Sequence, residues 1–482
     1  MPAPVSPANP PRARRAHHLS RLAGAAALGL AATLSSPARA TGMQGHIYMA
    51  QCAAEQVTDP RLRAIFDAHP THLANGGFFP DSGYTAKDHD QGEVPHWEPF
   101  VEAYIQLLRE RYKPPFTPEA TQHIAFLMGL AAHGITDSTF DTLIYERAEQ
   151  VDGGDFDSFD LSMDIFIAHD KPRYFVPEYA YDAATFSAVF AKVPHPVPAE
   201  NITQAMTTAR TGLSAVGGLL YAGADDYGKR YPWARAHVFE LRTGGSYPHG
   251  AAVVTGYYRE LLKRIDGDTS ADGILIGTYP DEHRRLATLD PARADGRVVL
   301  FFGHGLDRAS IADSVVVTDG AGNVVPAKVA PFRGSTYPNV LTVTPTSKWQ
   351  PSTKYTVRVA KTLRTLYGVS PTKELELRFE TCTPKTPPSA GAGDCGEPDY
   401  PAPPSACPKL DASYKTRPGQ EPEAPAEPPA DAGATPGATP GGGASSSCAA
   451  APHAPSLGAL AWLGLPLALA WRRRRRASSR TC

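Results

Sequence analysis

The sequence predicts a multidomain chain, an all-α helical body followed by an all-β sandwich, set between an export segment and a low-complexity tail. From Gly42 to about Asp266 the apolar residues recur at helical spacing. After Asp268 they fall instead into short β-branched or alternating runs, split by turns such as Asp319-Gly320 and Gly322-Asn323. Both ends have compositions that no packed core uses. The 482 residues allow two or three domains, and 18 Phe, 20 Tyr and 5 Trp exclude wholesale disorder. With 47 basic against 49 acidic residues, the chain lacks the basic excess of a protein built to grip phosphate backbones.

At the N-terminus Arg12, Arg14, Arg15 and Arg21 precede an apolar run, Leu22 to Leu34, and then Ala38-Arg39-Ala40. A basic region, a short apolar core and small residues at −3 and −1 read as a secretory signal over 1–40, so the mature chain is expected to start at Thr41. The apolar run is shorter than the roughly 20 residues a membrane span needs.

Within the helical body, Thr117-Pro118-Glu119 is a helix start: a hydroxyl cap, Pro in the first turn and an acid near the positive end. Behind it, residues 123–144 are apolar nearly all round, which predicts a central, buried helix. Further helices are expected at 46–68, 98–112, 183–193, 201–222 and 248–265, with Gly76–Gly83 and Asp152–Asp160 as joints between them. Residues 268–285 read as a linker. Strands are expected at Arg297–Phe302, Val315–Thr318, Val340–Thr344, Tyr355–Val359 and Leu375–Glu380, a spacing that suits a sandwich.

From 383 to 447 the chain is mostly Pro, Ala and Gly, a disordered stalk. An apolar stretch, Leu457–Trp471, then runs directly into Arg472–Arg476, which is expected to hold that end on the cytoplasmic side. Six Cys in an exported chain imply disulfides. Cys382, Cys395 and Cys407 are close in sequence and predict one pair among themselves, while Cys52 reads as a buried thiol.

His and Asp residues of the helical body fall in a suggestive order: Gly45-His46, Phe79-Pro80-Asp81, His96-Trp97, and His133 four residues before Asp137. An i,i+4 His/Asp pair shares one helix face and can hold one metal ion. Burying both groups is costly without a partner, and a divalent cation is the strongest one available.

These residues, with "GGFFPDSGY", "HWEPFVEAYIQLLRERY", "IAFLMGLAAHGITD", "GGDFDSFD" and "RYFVPE" in that order, resemble the zinc-dependent phospholipase C family over 41–267. Within it the likeness is greatest to the catalytic domain of the glycosylphosphatidylinositol-specific phospholipases D. The resemblance implies an all-α fold and a zinc cluster with His46 on one zinc, His96 and His133 on another, and Asp137 bridging them. It also implies Asp81 at the cluster as general base for a metal-activated water. Two zincs are expected. At the family's third position this sequence departs: the residue eight after His133 is Asp141, and the following acidic loop offers Asp155 but no His. Such hard oxygen ligands suit calcium or magnesium better than zinc, so that position is absent, rearranged or filled by another divalent cation. No ligand-type cluster lies beyond Asp266, so the β part is expected to be dispensable for turnover.

Residues 286–382, with Pro291, Asp295-Gly296, "TVTPTSKWQPSTKYTVRV" and "LRFET", resemble a bacterial Ig-like domain of the surface-layer type. Residues 448–482, a Cys after a Gly/Ser run, an apolar segment and an Arg cluster, resemble the myxobacterial sorting tail MYXO-CTERM. That likeness implies sorting machinery acting near Cys448 and retention at the cell surface or outer membrane. Together these features point to an exported phosphodiesterase working on phospholipid at a membrane surface. The alternatives are a single-strand-specific nuclease of the same fold, for which no basic funnel or stacking platform is apparent, and a non-catalytic surface binding protein with a degenerate metal site.

Overall fold

The computed structural model describes residues 42–153, 156, 158–170, 178–220 (side chains to 214), 223–241, 243–281, 285–286, 288–381 and 407. The segments expected as export signal, stalk and sorting tail, together with Asp155, Cys382 and Cys395, lie outside the described residues. Among those described, no helix is long and apolar enough to cross a membrane.

The longer helices are α1 (Met43–Gln56), α2 (Pro60–Ala68), α3 (Pro70–Gly83), α4 (Glu98–Arg111), α5 (Pro118–Phe140), α6 (Phe159–Asp170), α7 (Ala183–Phe190), α8 (Ala199–Leu220) and α9 (Tyr247–Asp266). The segment 46–68, expected as one helix, is two. Asp59 accepts hydrogen bonds from the backbone N–H groups of Arg61 and Leu62, and Pro60 takes the first turn, so a new helix starts there. Gly76–Gly83, expected as a joint, lies inside α3. Its glycines serve packing: a Cβ at Gly76 would stand 2.1 Å from the Phe126 carbonyl, and one at Gly129 2.1 Å from that of Leu73. Facing glycines let α3 and α5 touch backbone to backbone, which brings Asp81 and His133 within reach of each other.

α5 starts where the cap predicts, with Thr117 accepting from the Ala120 N–H. It is buried nearly all round, and a π-helical turn, Asp141–Tyr145, follows it directly.

The eight described strands are β1 (Leu275–Tyr279), β2 (Arg285–Leu286), β3 (Val298–Phe302), β4 (Val315–Asp319), β5 (Ala327–Pro331), β6 (Val340–Pro345), β7 (Lys354–Val359) and β8 (Leu375–Thr381). They form two four-stranded sheets, β1-β3-β6-β5 and β2-β8-β7-β4. β3 pairs antiparallel with β6 in the register Val298↔Val343, and β7 with β8 in the register Val357↔Leu377. The strong alternating runs were legible in the sequence; β1, β2 and β5 were not. β1 carries a Gly, β5 ends in Pro at a sheet edge, and β2 is two residues long.

β1 also corrects the reading of 268–285 as a linker. It joins β3 on one side and packs on α9, where a Cβ at Gly256 would meet the Ile276 carbonyl at 2.2 Å. The apolar core runs unbroken from Ile47 through Leu261 to Phe301. Buried Arg264 of α9 ties the two parts together, donating to Glu98 and Glu102 at 2.6 Å each and to the Gly303 carbonyl at 3.1 Å. Cys52 is also not a free thiol. It forms a disulfide with Cys407, which leaves only Cys382 and Cys395, both outside the described residues, for the pair expected among the late cysteines.

Candidate metal centre

His46, Asp81, His96, His133 and Asp137 come from four segments. α1 carries His46, the last turn of α3 carries Asp81, a 3-10 turn, Val94–His96, carries His96, and α5 carries His133 and Asp137. Two groups of three, His46/Asp81/His133 and His96/His133/Asp137, have their ligand-type atoms within 4.8 Å of one another. His133 Nε2 lies 3.5 Å from a carboxylate oxygen of both Asp81 and Asp137 and 3.0 Å from His96 Nε2. The rings of His46 and His133 stack at 3.4 Å.

Each imidazole is oriented through its other nitrogen. His133 Nδ1 lies 2.8 Å from the Gly77 carbonyl and His96 Nδ1 2.8 Å from that of Gly92. Both must donate there, since a carbonyl only accepts. His46 Nδ1 lies 2.9 Å from Thr136 Oγ1, whose own proton goes to the His133 carbonyl at 2.7 Å. Neutral rings held this way aim their Nε2 lone pairs inward, the arrangement metal-ligating histidines use. Two facing lone pairs 3.0 Å apart repel unless a proton or a cation lies between them. His46 Nε2 and Asp137 Oδ1 are buried and make no hydrogen bond. The donor set of three imidazoles and two carboxylates fits zinc or a similar divalent ion.

Charge within the cluster follows from burial opposed by the neighbours. Burial would raise the Asp81 carboxyl, but His133, His96 and His46 outweigh it and hold it well below the usual range. Burial would lower His96, but the nearby carboxylates of Asp81 and Asp137 push it up to about 9. His46 is raised too, with Asp137 and Asp81 outweighing its burial. Burial and the charge of His46 lower His133.

A pH dependence follows for metal-free protein. The folded-state value of His96 is raised above the ordinary imidazole value of 6.5, so its contribution to stability is complete below that pH and is lost as pH rises through about 9. Metal-free protein is expected to melt at progressively lower temperature from pH 6.5 to 9, whereas zinc-loaded protein, its imidazoles already neutral, shows a flatter profile. Parallel thermal scans with and without chelator check this, and coincident profiles would count against it.

Supporting residues that the sequence did not single out include Thr136 and the carbonyls of Gly77 and Gly92. Asp164 accepts from the Gln44 and Gly45 N–H groups at 2.9 and 3.2 Å, fixing the start of the helix that carries His46, and burial pushes its carboxyl up to about 7. Glu93 binds the Tyr84 hydroxyl and the Trp97 indole on either side of His96. No local motif marks Thr136, Asp164 or the two carbonyls, because each acts across a long sequence separation or through the backbone.

Asp141 stands apart from the cluster. Its Oδ2 accepts from Arg333 of the β part, and it belongs to no ligand-type group among the described residues, which do not include Asp155. A further group, Asp88, Asp90 and His195, gathers on the exposed surface. His195 uses both ring nitrogens there, Nε2 2.8 Å from Asp88 and Nδ1 3.9 Å from Asp90, so a single ion could not take both.

Residues 286–381 match the family model described as a bacterial Ig-like domain. Among curated proteins the similarity is to a named set of enzymes. The mouse phosphatidylinositol-glycan-specific phospholipase D is 29% identical over 121 residues, covering 23% of this chain and 14% of that protein. The human enzyme is 30% identical over 115 residues, covering 22% and 14%. The Dictyostelium discoideum enzyme is 26% identical over 253 residues, covering 46% and 25%. Part of this chain is a distant homologue of those enzymes. The matches span only about a seventh to a quarter of their length. Among solved structures, the surface-layer protein SbsC, domains 1–6, aligns at 13% identity over 67% of this chain and 46% of that one, with a TM-score of 0.20, too low to define a shared fold.

Proposed function

We propose that the protein is an exported, surface-retained zinc phosphodiesterase that hydrolyses phospholipid in the phospholipase C manner. The observation that carries this reading is the convergence of His46, His96, His133, Asp81 and Asp137 in one buried centre, with each imidazole oriented through Nδ1. The distant relatives named phosphatidylinositol-glycan-specific phospholipase D support a phospholipid substrate. The Cys52–Cys407 disulfide supports an oxidising compartment, as export would provide. Retention at the cell surface or outer membrane rests on the tail beyond Cys448.

In this reading His46, His96, His133 and Asp137 hold the metal ions. A divalent cation bound there supplies Lewis acidity to a phosphoryl oxygen and lowers the pKa of a water. Asp81, whose carboxylate lies among the same converging groups, would take the proton from the attacking water. Thr136, Gly77 and Gly92 keep the rings in the tautomer that leaves Nε2 free for the metal.

Elemental analysis of the full chain, purified without chelator, is expected to find two zincs. Turnover of phosphatidylcholine or phosphatidylinositol vesicles is expected to stop on chelation and return with zinc, while single-stranded DNA stays intact. Protein free of metal would sink the reading, and cleavage of the DNA in preference to lipid would move it to the nuclease alternative.

A further inference from the structure

The β part reaches the metal centre through the loop between β5 and β6. The Tyr337 ring lies 6.5 Å from that of Trp97, the residue after His96. At its other end Arg333 Nη1 donates to Asp141 Oδ2. Asp141 follows Asp137 by four residues, and its N–H still bonds to the Asp137 carbonyl, so the two are neighbours one helical turn apart. The loop therefore flanks the centre on the His96 side and on the Asp137 side.

Arg333 is held for this position. Its backbone is left-handed, φ 46°, a conformation that disfavours any residue with a side chain. Arg308 Nη1 clamps the carbonyls of Gly334 and Ser335 at 2.9 and 2.8 Å. The guanidinium lies over the Tyr145 and Phe332 rings.

The ion pair is only half used. An arginine whose task is to neutralise a buried carboxylate is best placed as a two-pronged fork. Here one nitrogen meets one oxygen, and Asp141 Oδ1 stays buried without a partner. Nε and Nη2 of Arg333 make no hydrogen bond among the described residues, and the side chain is 32% exposed while that of Asp141 is 8%. A fixed cation with unused donors thus stands beside the centre.

We propose that Arg333, supplied by the β part, is a positioning residue that binds a phosphoryl oxygen of the substrate held at the metal centre of the helical part. This rests on the phosphodiesterase reading and adds that the Ig-like domain contributes to the site.

The test uses the full chain, zinc-loaded and freed of excess metal, titrated with inorganic phosphate by calorimetry. Arg333→Met is expected to weaken phosphate binding about 10- to 100-fold, the range for a lost hydrogen bond to a charged group, at unchanged zinc content. Arg333→Lys keeps the charge and is expected to recover part of the loss. Asp141→Asn is expected to bind phosphate at least as tightly as the unaltered protein, because it releases the guanidinium. The double variant Asp141→Asn/Arg333→Met, which leaves no buried unpaired charge, is expected to match Arg333→Met and covers the case in which the single variant folds poorly. With short-chain phosphatidylcholine as substrate, the Arg333→Met loss is expected mainly in KM, which separates a lipid phosphate from free phosphate. Unchanged phosphate affinity in Arg333→Met, or equal weakening by Arg333→Met and Asp141→Asn, would mark the pair as a structural clasp and overturn the proposal. Phosphate binding without turnover by the unaltered protein would overturn the phosphodiesterase reading alone, leaving Arg333 to be judged on phosphate affinity.

Discussion

Asp81→Asn is expected to lower phosphodiester turnover by about 10²- to 10⁴-fold, the usual worth of general-base assistance, with zinc content and melting temperature near those of the unaltered protein. An amide at this position keeps the shape and one acceptor oxygen but takes no proton from water. Asp81 lies 3.5 Å from His133 and 3.7 Å from His96, and it is less buried than either His46 or His133. Loss of its charge therefore leaves four of the five converging groups in place. His133→Ala should behave differently. His133 has no exposure, stacks on His46 and belongs to both metal-type groups. Its removal is expected to lower zinc content and melting temperature together, by about 2–4 °C for each kcal/mol lost in a domain of 150–250 residues. If Asp81→Asn keeps full activity, or strips zinc as badly as His133→Ala, Asp81 is a ligand or a bystander and the mechanism is wrong at its centre.

A chain ending at Asp268 is expected to fail to fold as a monomer. The sequence alone suggested the opposite, because all the ligand-type residues lie before that point. The packing reverses the expectation. Without β1, α9 presents Val253, Tyr257 and the Gly256 backbone to water, and Arg264 and Glu260 lose the Gly303 carbonyl and His304 respectively. Each apolar side chain exposed costs about 1.5–3 kcal/mol, and losing a partner of a buried charge adds about 1–3 kcal/mol. A few such losses consume the roughly 5–15 kcal/mol that hold a typical domain. Gel filtration with dye binding to exposed apolar surface decides it. A monodisperse truncated chain that melts cooperatively near the full chain's temperature would show that α9 needs no sheet behind it.

What was legible in the sequence was whatever depends on near neighbours. The helix start at Thr117, the buried all-apolar course of α5, the all-apolar β3 and the alternating strands β4, β6, β7 and β8 follow from local composition and from periods that a reader can count. The ordered His and Asp residues predicted a shared metal centre, and the structure brings His46, Asp81, His96, His133 and Asp137 together.

Other features follow from contacts between segments far apart in the chain. Gly76 looks like a break in a one-dimensional reading; only the packed helices show that it and Gly129 let two backbones meet. The tautomers of His46, His96 and His133 are set by Thr136 and by two carbonyls, and a carbonyl carries no sequence signature. Cys52 pairs across 355 positions, where loop length gives no guide to the partner. Asp141 has the spacing of a ligand, yet its partner is Arg333, 192 residues away on another domain. The sequence by itself determined which His and Asp side chains are candidates for a shared site and where the strongly periodic segments coil or extend. The tertiary structure alone decided which carboxylates meet histidines and which meets an arginine, because burial and charge pairing depend on distance in space rather than along the chain.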